Sequence, residues 1–370
     1  MSVRTELFVG AAAFWSAARA DLAVARSRVL VQAMTFEGDA AGQGVAAAIA
    51  TAGARDRRVL VDDYTRFVVS DQWVANRRLP SGLAAEVAST RAMFRDLMAR
   101  GVAVRVTNPI RSSLTNYPAR NHKKLVVADD VAWLGGVNFS DHNFAWDDVM
   151  VRVQDAALAD ILAADFDATW TSRPRPFCAV VEAATLLGLD GRTNAAAMQQ
   201  VEARIAAARA QIVLVSPYVT RPFLEHLARA RARGVGVRLI TPWSSNKSTV
   251  RDALVPFARR AGIELVLLAR MSHLKGLSID GRTLVVGSAN FDIVSLNAEE
   301  ELVLIIEDEA LAADFDARVV APLTQSAMPP GEARVPIWRE GLARAALAAA
   351  GGAATIASAW PRRAAPFDWV

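Results

Sequence analysis

Short β-branched runs alternate with alanine-rich stretches along most of the chain. Residues 28–33 (Arg-Val-Leu-Val-Gln-Ala) and 211–216 (Gln-Ile-Val-Leu-Val-Ser) each follow an Ala/Arg-rich stretch, and residues 57–62 and 236–241 repeat the apolar run further on. The runs are short enough for strands, and the stretches between them are long enough for helices. Such alternation predicts an α/β class fold with a layered sheet in each half of the chain.

The halves resemble each other in detail. Leu-Ala-Ala-Asp-Phe-Asp-Ala occurs at 162–168 and again, letter for letter, at 311–317. Amphipathic spacing predicts a helix there, with the phenylalanine inward and the acids outward. A boundary is expected near Ser172-Arg173-Pro174-Arg175-Pro176, where proline interrupts regular structure. This gives a first repeat of residues 1–175 and a second of 176–370 with a helical tail. Extra sequence at residues 67–90 of the first half is expected to form a lid or a cleft wall.

One pattern adds chemistry to this plan. His122-Lys123-Lys124-Leu125-Val126-Val127-Ala128-Asp129 and His273-Leu274-Lys275-Gly276-Leu277-Ser278-Ile279-Asp280 both read His-x-Lys-(x)4-Asp, 151 positions apart. The chain has only four lysines against 38 arginines, so lysine at both matching places suggests a need for a compact ammonium. Residues 125–127 and 277–279 read as strands, whose alternation sends His and Lys to one face. A second strand follows each, leading into Gly135-Gly136-Val137-Asn138 and Gly287-Ser288-Ala289-Asn290. Glycine allows close backbone approach to a ligand, and asparagine offers an amide donor.

A neutral imidazole can attack phosphorus, and a protonated one can give its proton to a departing alkoxide. Two motifs therefore supply nucleophile and acid. Lys124, Lys275, Asn138, Ser288 and Asn290 are candidates to bind the phosphate oxygens. A histidine held in one tautomer needs a carboxylate on its other nitrogen. Asp148 and Glu299 each follow their histidine by 26 residues and are the candidates, with Asp147 competing with Asp148. Asp129 and Asp280 close their strands and are expected to make turns or salt bridges, although they belong to the motif.

The chain resembles the two-motif bacterial members of the phospholipase D superfamily, and within it the cardiolipin synthases. Residues 287–292 with 295–299, Trp146-Asp147-Asp148-Val149 and Ser216-Pro217-Tyr218 carry that resemblance, which runs from about residue 10 to residue 320. It implies two tandem α/β sandwich repeats related by a pseudo-twofold, with the active site at their interface. It also implies a reaction without metal or other cofactor, passing through a phosphohistidine on His122 with His273 as the acid. The implied substrate is a phosphatidylglycerol-like phospholipid with an alcohol or water as acceptor, acted on at a membrane surface. Ile293-Val294 departs from the family, which often has arginine before the serine.

Composition narrows the setting. The single cysteine, Cys178, excludes an internal disulfide framework and a Cys-rich metal site. A pI near 9.6 favours anionic partners. Residues 7–18 admit an export-signal reading, but Glu6 stands where a positive region is expected, and the run continues into a helix-like stretch. Residues 345–360 are too short and too weakly apolar to span a bilayer. The expected location is thus cytoplasmic, peripheral on the inner membrane.

Blander readings cover the remainder: the Asp-Phe-Asp repeats as packing, Arg229, Arg231 and Arg233 as a helix C-terminus, and His226 as an ordinary surface residue. His142 could line the pocket. The leading expectation is a phosphatidyltransferase, with hydrolytic phospholipase D beside it. A nuclease of the same superfamily, which would bind nucleic acid in a salt-sensitive groove, and a catalytically idle membrane-binding protein are the alternatives.

Overall fold

The computed structural model describes residues 4–75, 78–110, 114–329 and 333–369. Residues 76–77, within the expected insertion, lie outside them. The chain divides into two compact units, Met1–Arg175 with Trp360–Val370, and Pro176–Ala359.

In chain order the first unit holds β1 (Arg4–Val9), α1 (Ala11–Val24), β2 (Arg28–Ala33), α2 (Ala40–Thr51), β3 (Asp56–Asp62), α3 (Tyr64–Phe67), β4 (Val68–Val69) and β5 (Gln72–Trp73). It continues with α4 (Ser81–Ala99), β6 (Ala103–Thr107), β7 (Leu125–Ala128), β8 (Val131–Gly135), α5 (Asp141–Ala145), β9 (Val149–Gln154) and α6 (Ala156–Trp170). The second unit begins with β10 (Phe177–Val181), β11 (Ala184–Asp190), α7 (Asn194–Ala207), β12 (Gln211–Val215), α8 (Phe223–Ala232), β13 (Gly236–Pro242), α9 (Ser248–Arg260) and β14 (Glu264–Leu268). It ends with β15 (Gly276–Ile279), β16 (Thr283–Gly287), α10 (Ile293–Asn297), β17 (Glu300–Glu307), α11 (Glu309–Phe315), a π-helical turn (Asp316–Val320), α12 (Ala321–Gln325) and α13 (Ile337–Ser358). The last strand, β18 (Ala364–Pro366), belongs to the first unit.

Each unit is built on an eight-stranded sheet, ordered β1-β9-β8-β7-β2-β3-β6-β18 in the first and β10-β11-β17-β16-β15-β12-β13-β14 in the second. Seven strands match one for one in order and direction. β2, β3 and β6 run parallel, as do β12, β13 and β14, and the remaining matched neighbours are antiparallel. The duplication in sequence is therefore a duplication of topology. Strands β7, β15 and β16 are buried at every residue, as expected where both faces of a sheet are covered.

Two expectations are corrected here. The second half does not run to the end of the chain. β18 pairs antiparallel with β6, and Trp369 is buried against Phe94 with its indole N–H donated to Asp63. The apolar end of the chain thus completes the first unit's core. Nor is all of residues 67–90 an insertion, because α4 is the ordinary crossover helix between the parallel strands β3 and β6. Only the stretch around α3 and the β4–β5 hairpin exceeds the direct link from β13 to α9.

The repeated Asp-Phe-Asp segments lie on helices, and Phe166 and Phe315 are fully buried. The acids do not all face outward. Alternation sends Lys123 to the sheet face opposite His122 and Lys124, where its ammonium meets both oxygens of the buried Asp165 on α6 at 2.8 and 2.7 Å. In the second unit Leu274 occupies the place of Lys123, and Asp314 instead pairs with Arg318 at the surface, 2.9 Å away. Removing one partner of a buried ion pair strands the other charge, typically at about 3–5 kcal/mol. Lys123→Leu should therefore lose about 3–5 kcal/mol in denaturant unfolding, and adding Asp165→Leu should recover most of it. A single variant as stable as the parent would show that the pair contributes nothing.

Candidate active site

Both motif histidines stand just before the strand that carries the rest of their motif, at the end of the sheet where the following Gly-x-x-Asn turns lie. In the first unit Leu125 faces Leu134 and Gly135 faces Met150. Continued by three residues on β7 and two on β9, this register brings His122 and Asp148 level with Val137, and Gly136 N–H donates to Val149 O in keeping with it. His122, Lys124, Asn138 and Asp148 are all buried.

In the second unit Gly276 faces Val286 and Gly287 faces Val303, with Ser288 N–H on Leu302 O. The same continuation brings His273 level with Ala289, and opposite Ala289 stands Glu301. The register counterpart of Asp148 is therefore Glu301, not Glu299. The equal spacing of 26 residues misleads because the second unit has two extra residues. One is in the β15–β16 turn, where Asp280-Gly281-Arg282 replaces the two-residue turn Asp129-Asp130, and one is in the loop carrying α10. Counting back from the strand, rather than forward from the histidine, would have found it.

Glu301 is fully buried and accepts from the hydroxyls of Ser288 and Ser295. Ser295 Oγ lies 2.9 Å from Glu301 and 3.0 Å from Glu299, and it also accepts from Asn290 N–H at 3.2 Å. Having one proton, that hydroxyl serves only one carboxylate at a time. Ser288 is thus engaged with a carboxylate, and its expected place as a phosphate ligand would require a rearrangement. Among the described residues, Asn290 Oδ1 is buried without a hydrogen-bond partner. Asn138 instead accepts from Thr35 N–H at 3.2 Å, fixing its amide in the loop.

The lysines behave alike in the two units. Lys124 Nζ donates to His122 O at 2.7 Å, and Lys275 Nζ donates to His273 O. Each ammonium thereby ties down its own histidine's backbone. His122 is preceded by a second support: Asn121 N–H donates to Asp62, and Arg120 pairs with the same buried carboxylate at 2.9 Å.

Asp129 and Asp280 lie at the opposite end of their strands from the histidines. Asp129 accepts from the backbone N–H groups of Arg26, Ser27 and Arg28 at 2.8–2.9 Å, and Asp280 from those of Arg209, Ala210 and Gln211. Both adopt left-handed backbone, φ 50° and 52°. Burial raises each carboxyl, but three amides outweigh it and hold both below the usual range. Each of these acids clamps its strand end to the backbone entering the neighbouring strand.

Two features escaped the sequence. Gly136 packs so closely that a Cβ there would lie 2.1 Å from Asp148 Oδ1. Glu37 is buried next to this loop, its N–H on Phe139 O, and its carboxylate accepts from Ser70 N–H at 3.0 Å. Desolvation, opposed by Ser70 and reinforced by Glu86 and Asp39, pushes Glu37 up to about 9. His142, 3.8 Å from Glu37, is held by Ser140 and Asn143, and burial lowers its pKa.

The family described as cardiolipin synthase, PLD-like domain, matches residues 19–170 and 201–320. Minor cardiolipin synthase ClsB of Bacillus subtilis (strain 168) is 27% identical over 226 residues, 56% of this chain and 57% of that protein. Cardiolipin synthase A of Yersinia pseudotuberculosis is 26% identical over 318 residues, 75% of this chain and 65% of that protein. The chain thus spans less than two thirds of the length of these relatives. Phosphatidylserine synthase of Haemophilus influenzae Rd KW20 shares the fold with a TM-score of 0.70 over 95% of both chains at 15% identity. The polyphosphate kinase of Porphyromonas gingivalis overlaps with a TM-score of 0.56 at 13% identity, over 94% of this chain and 56% of that one.

Gly136→Ala should displace the Asp148 carboxylate and lower turnover at least about tenfold while the fold persists, since misplacement by about 1 Å can cost far more. An alanine variant with parental kcat would show that Asp148 need not sit there. Because Glu37 is protonated when folded but ionises near 4.5 when unfolded, its contribution to stability is full below pH 4.5 and declines up to about pH 9. Glu37→Gln should flatten the fall of stability between those values; an unchanged pH profile in thermal unfolding would contradict this.

Proposed function

The chain belongs to the family of cardiolipin synthase, PLD-like domains, and from that premise we propose that it is a phosphatidyltransferase acting on phospholipid phosphodiesters. The observation that carries this reading is the doubled arrangement itself. Each unit holds a buried His-x-Lys, a Gly/Ser-x-Asn turn and a buried carboxylate at one level of the same three antiparallel strands.

In the proposed reaction His122 attacks the phosphorus of a phosphatidylglycerol-like donor. The P–O bond to the head group breaks, and His273 gives its proton to the leaving alkoxide. An acceptor hydroxyl then loses its proton to His273 and attacks the phosphohistidine, releasing His122. A second phosphatidylglycerol as acceptor gives cardiolipin, another alcohol gives a head-group exchange, and water gives hydrolysis. Lys124, Lys275, Asn138 and Asn290 would neutralise the non-bridging oxygens as charge develops on them. Asp148 and Glu301 would hold the two imidazoles in the reactive tautomer, with Glu299 the competitor of Glu301. Both reacting groups are side chains, so the sequence of steps calls for no cofactor.

A phospholipid substrate implies attachment at a membrane surface, here peripheral and on the cytoplasmic side. Among the described residues no helix is long and apolar enough to cross a membrane.

His122→Ala and His273→Ala should each reduce conversion of labelled phosphatidylglycerol by at least about 10²–10⁴. Glu301→Gln should cost more than Glu299→Gln. Cleavage of single-stranded DNA without lipid conversion would replace this reading with a nuclease, and turnover surviving both histidine substitutions together would end the mechanism.

A further inference from the structure

Helix α13 runs for 22 residues, about 33 Å, and shows an apolar stripe to solvent along its whole length. Trp338, Leu342, Ala345, Ala349, Gly352 and Ile356 follow one another at three- or four-residue steps and so share one face. All six are exposed, and the large ones strongly so: Trp338 66%, Leu342 64% and Ile356 69%. The opposite face, with Ala343, Ala354 and Ala357, is buried and packs toward α9 and α10. This side of the helix is thus anchored, and the stripe is not a core face awaiting its own unit.

Guanidinium groups border the stripe. At 100° per residue Arg344 lies about 120° from the stripe's centre line on one side and Arg339 about 100° on the other, at the border of the buried face. Arg339 is steadied by Asp252 at 2.7 Å, and Arg344 is exposed. Arg260 is joined to Glu340 of the helix at 2.6 Å. Arg344 and Arg260 also line a cavity of about 800 Å³ on the inner flank of α13.

We infer that this face of α13 is the surface by which the protein docks on an anionic phospholipid bilayer. Tryptophan and branched aliphatics enter the acyl boundary, while flanking arginines reach the phosphates. A second copy of the chain fits less well. A stripe about 10 Å wide and 33 Å long buries roughly 330 Å² per partner, well short of the roughly 1,000 Å² in total that a stable interface needs. The choice of a lipid surface rests on the phospholipid reading above; the exposed face does not.

The test is flotation of the full chain with vesicles of phosphatidylcholine containing phosphatidylglycerol, and with phosphatidylcholine alone. The doubly substituted Leu342→Glu, Ile356→Glu chain is run in parallel. Binding is expected for the parent on the anionic vesicles, weakened by salt and by omission of phosphatidylglycerol. The variant should lose at least about tenfold in binding yet convert short-chain, water-soluble phosphatidylglycerol at the parental rate, which also certifies its fold. Parental binding without conversion of any lipid would defeat the phosphatidyltransferase reading and leave the docking face standing. Equal binding by variant and parent, no binding by the parent, or a parental dimer in sedimentation that the substitutions dissolve would overturn the inference.

Discussion

Everything at the candidate site depends on the register of three antiparallel strands, met once in each unit. A side chain in a strand changes face with every residue, so a slip by one would turn His122 and Lys124 into the face now holding Lys123. The register is pinned at the far end of the motif strands. At the far end Asp129 and Asp280 each collect three backbone amides from the segment entering the neighbouring strand, β2 or β12. At the near end the lysine ammonium returns to its histidine's own carbonyl. The motif's aspartate is in this sense mechanical: it holds its strand to the segment entering the neighbour.

Within that common frame the two units differ where chemistry could use a difference. The first sets a glycine against its acid, leaving the Asp148 carboxylate packed on bare backbone and donating nothing to it from a side chain at 136. The second sets Ser288 there, and with Ser295 it gives Glu301 two hydroxyl partners. The two buried carboxylates thus sit in different surroundings. The buried Lys123–Asp165 pair of the first unit, replaced by Leu274 in the second, shows that such divergence extends behind the sheet as well.

Much of this was legible in the sequence. Repeated letters at fixed separation give the duplication, the motif strands and the following Gly-x-x-Asn turns, because the same residues are needed wherever the same backbone recurs. The failures also have physical causes. Counting forward from the histidine reaches Glu299 and not Glu301, the register counterpart of Asp148, because two single-residue insertions, one of them in a turn, leave strand pairing intact while shifting the count. Asp165 was read as solvent-facing because helical periodicity does not reveal a lysine arriving from the sheet. The return of residues 364–366 to the first unit is a pairing across more than 250 positions, which no local pattern encodes.

The central claim is that one histidine of this doubled arrangement bonds to phosphorus while the other moves the proton. The most direct measurement is an acid-free rapid quench of the parental chain with donor lipid labelled in the phosphatidyl group, followed by mapping of the labelled peptide. Label on the peptide containing His122, stable to base and labile to acid, is the predicted outcome. Protein that stays unlabelled, or label carried by a peptide lacking both motif histidines, would contradict it.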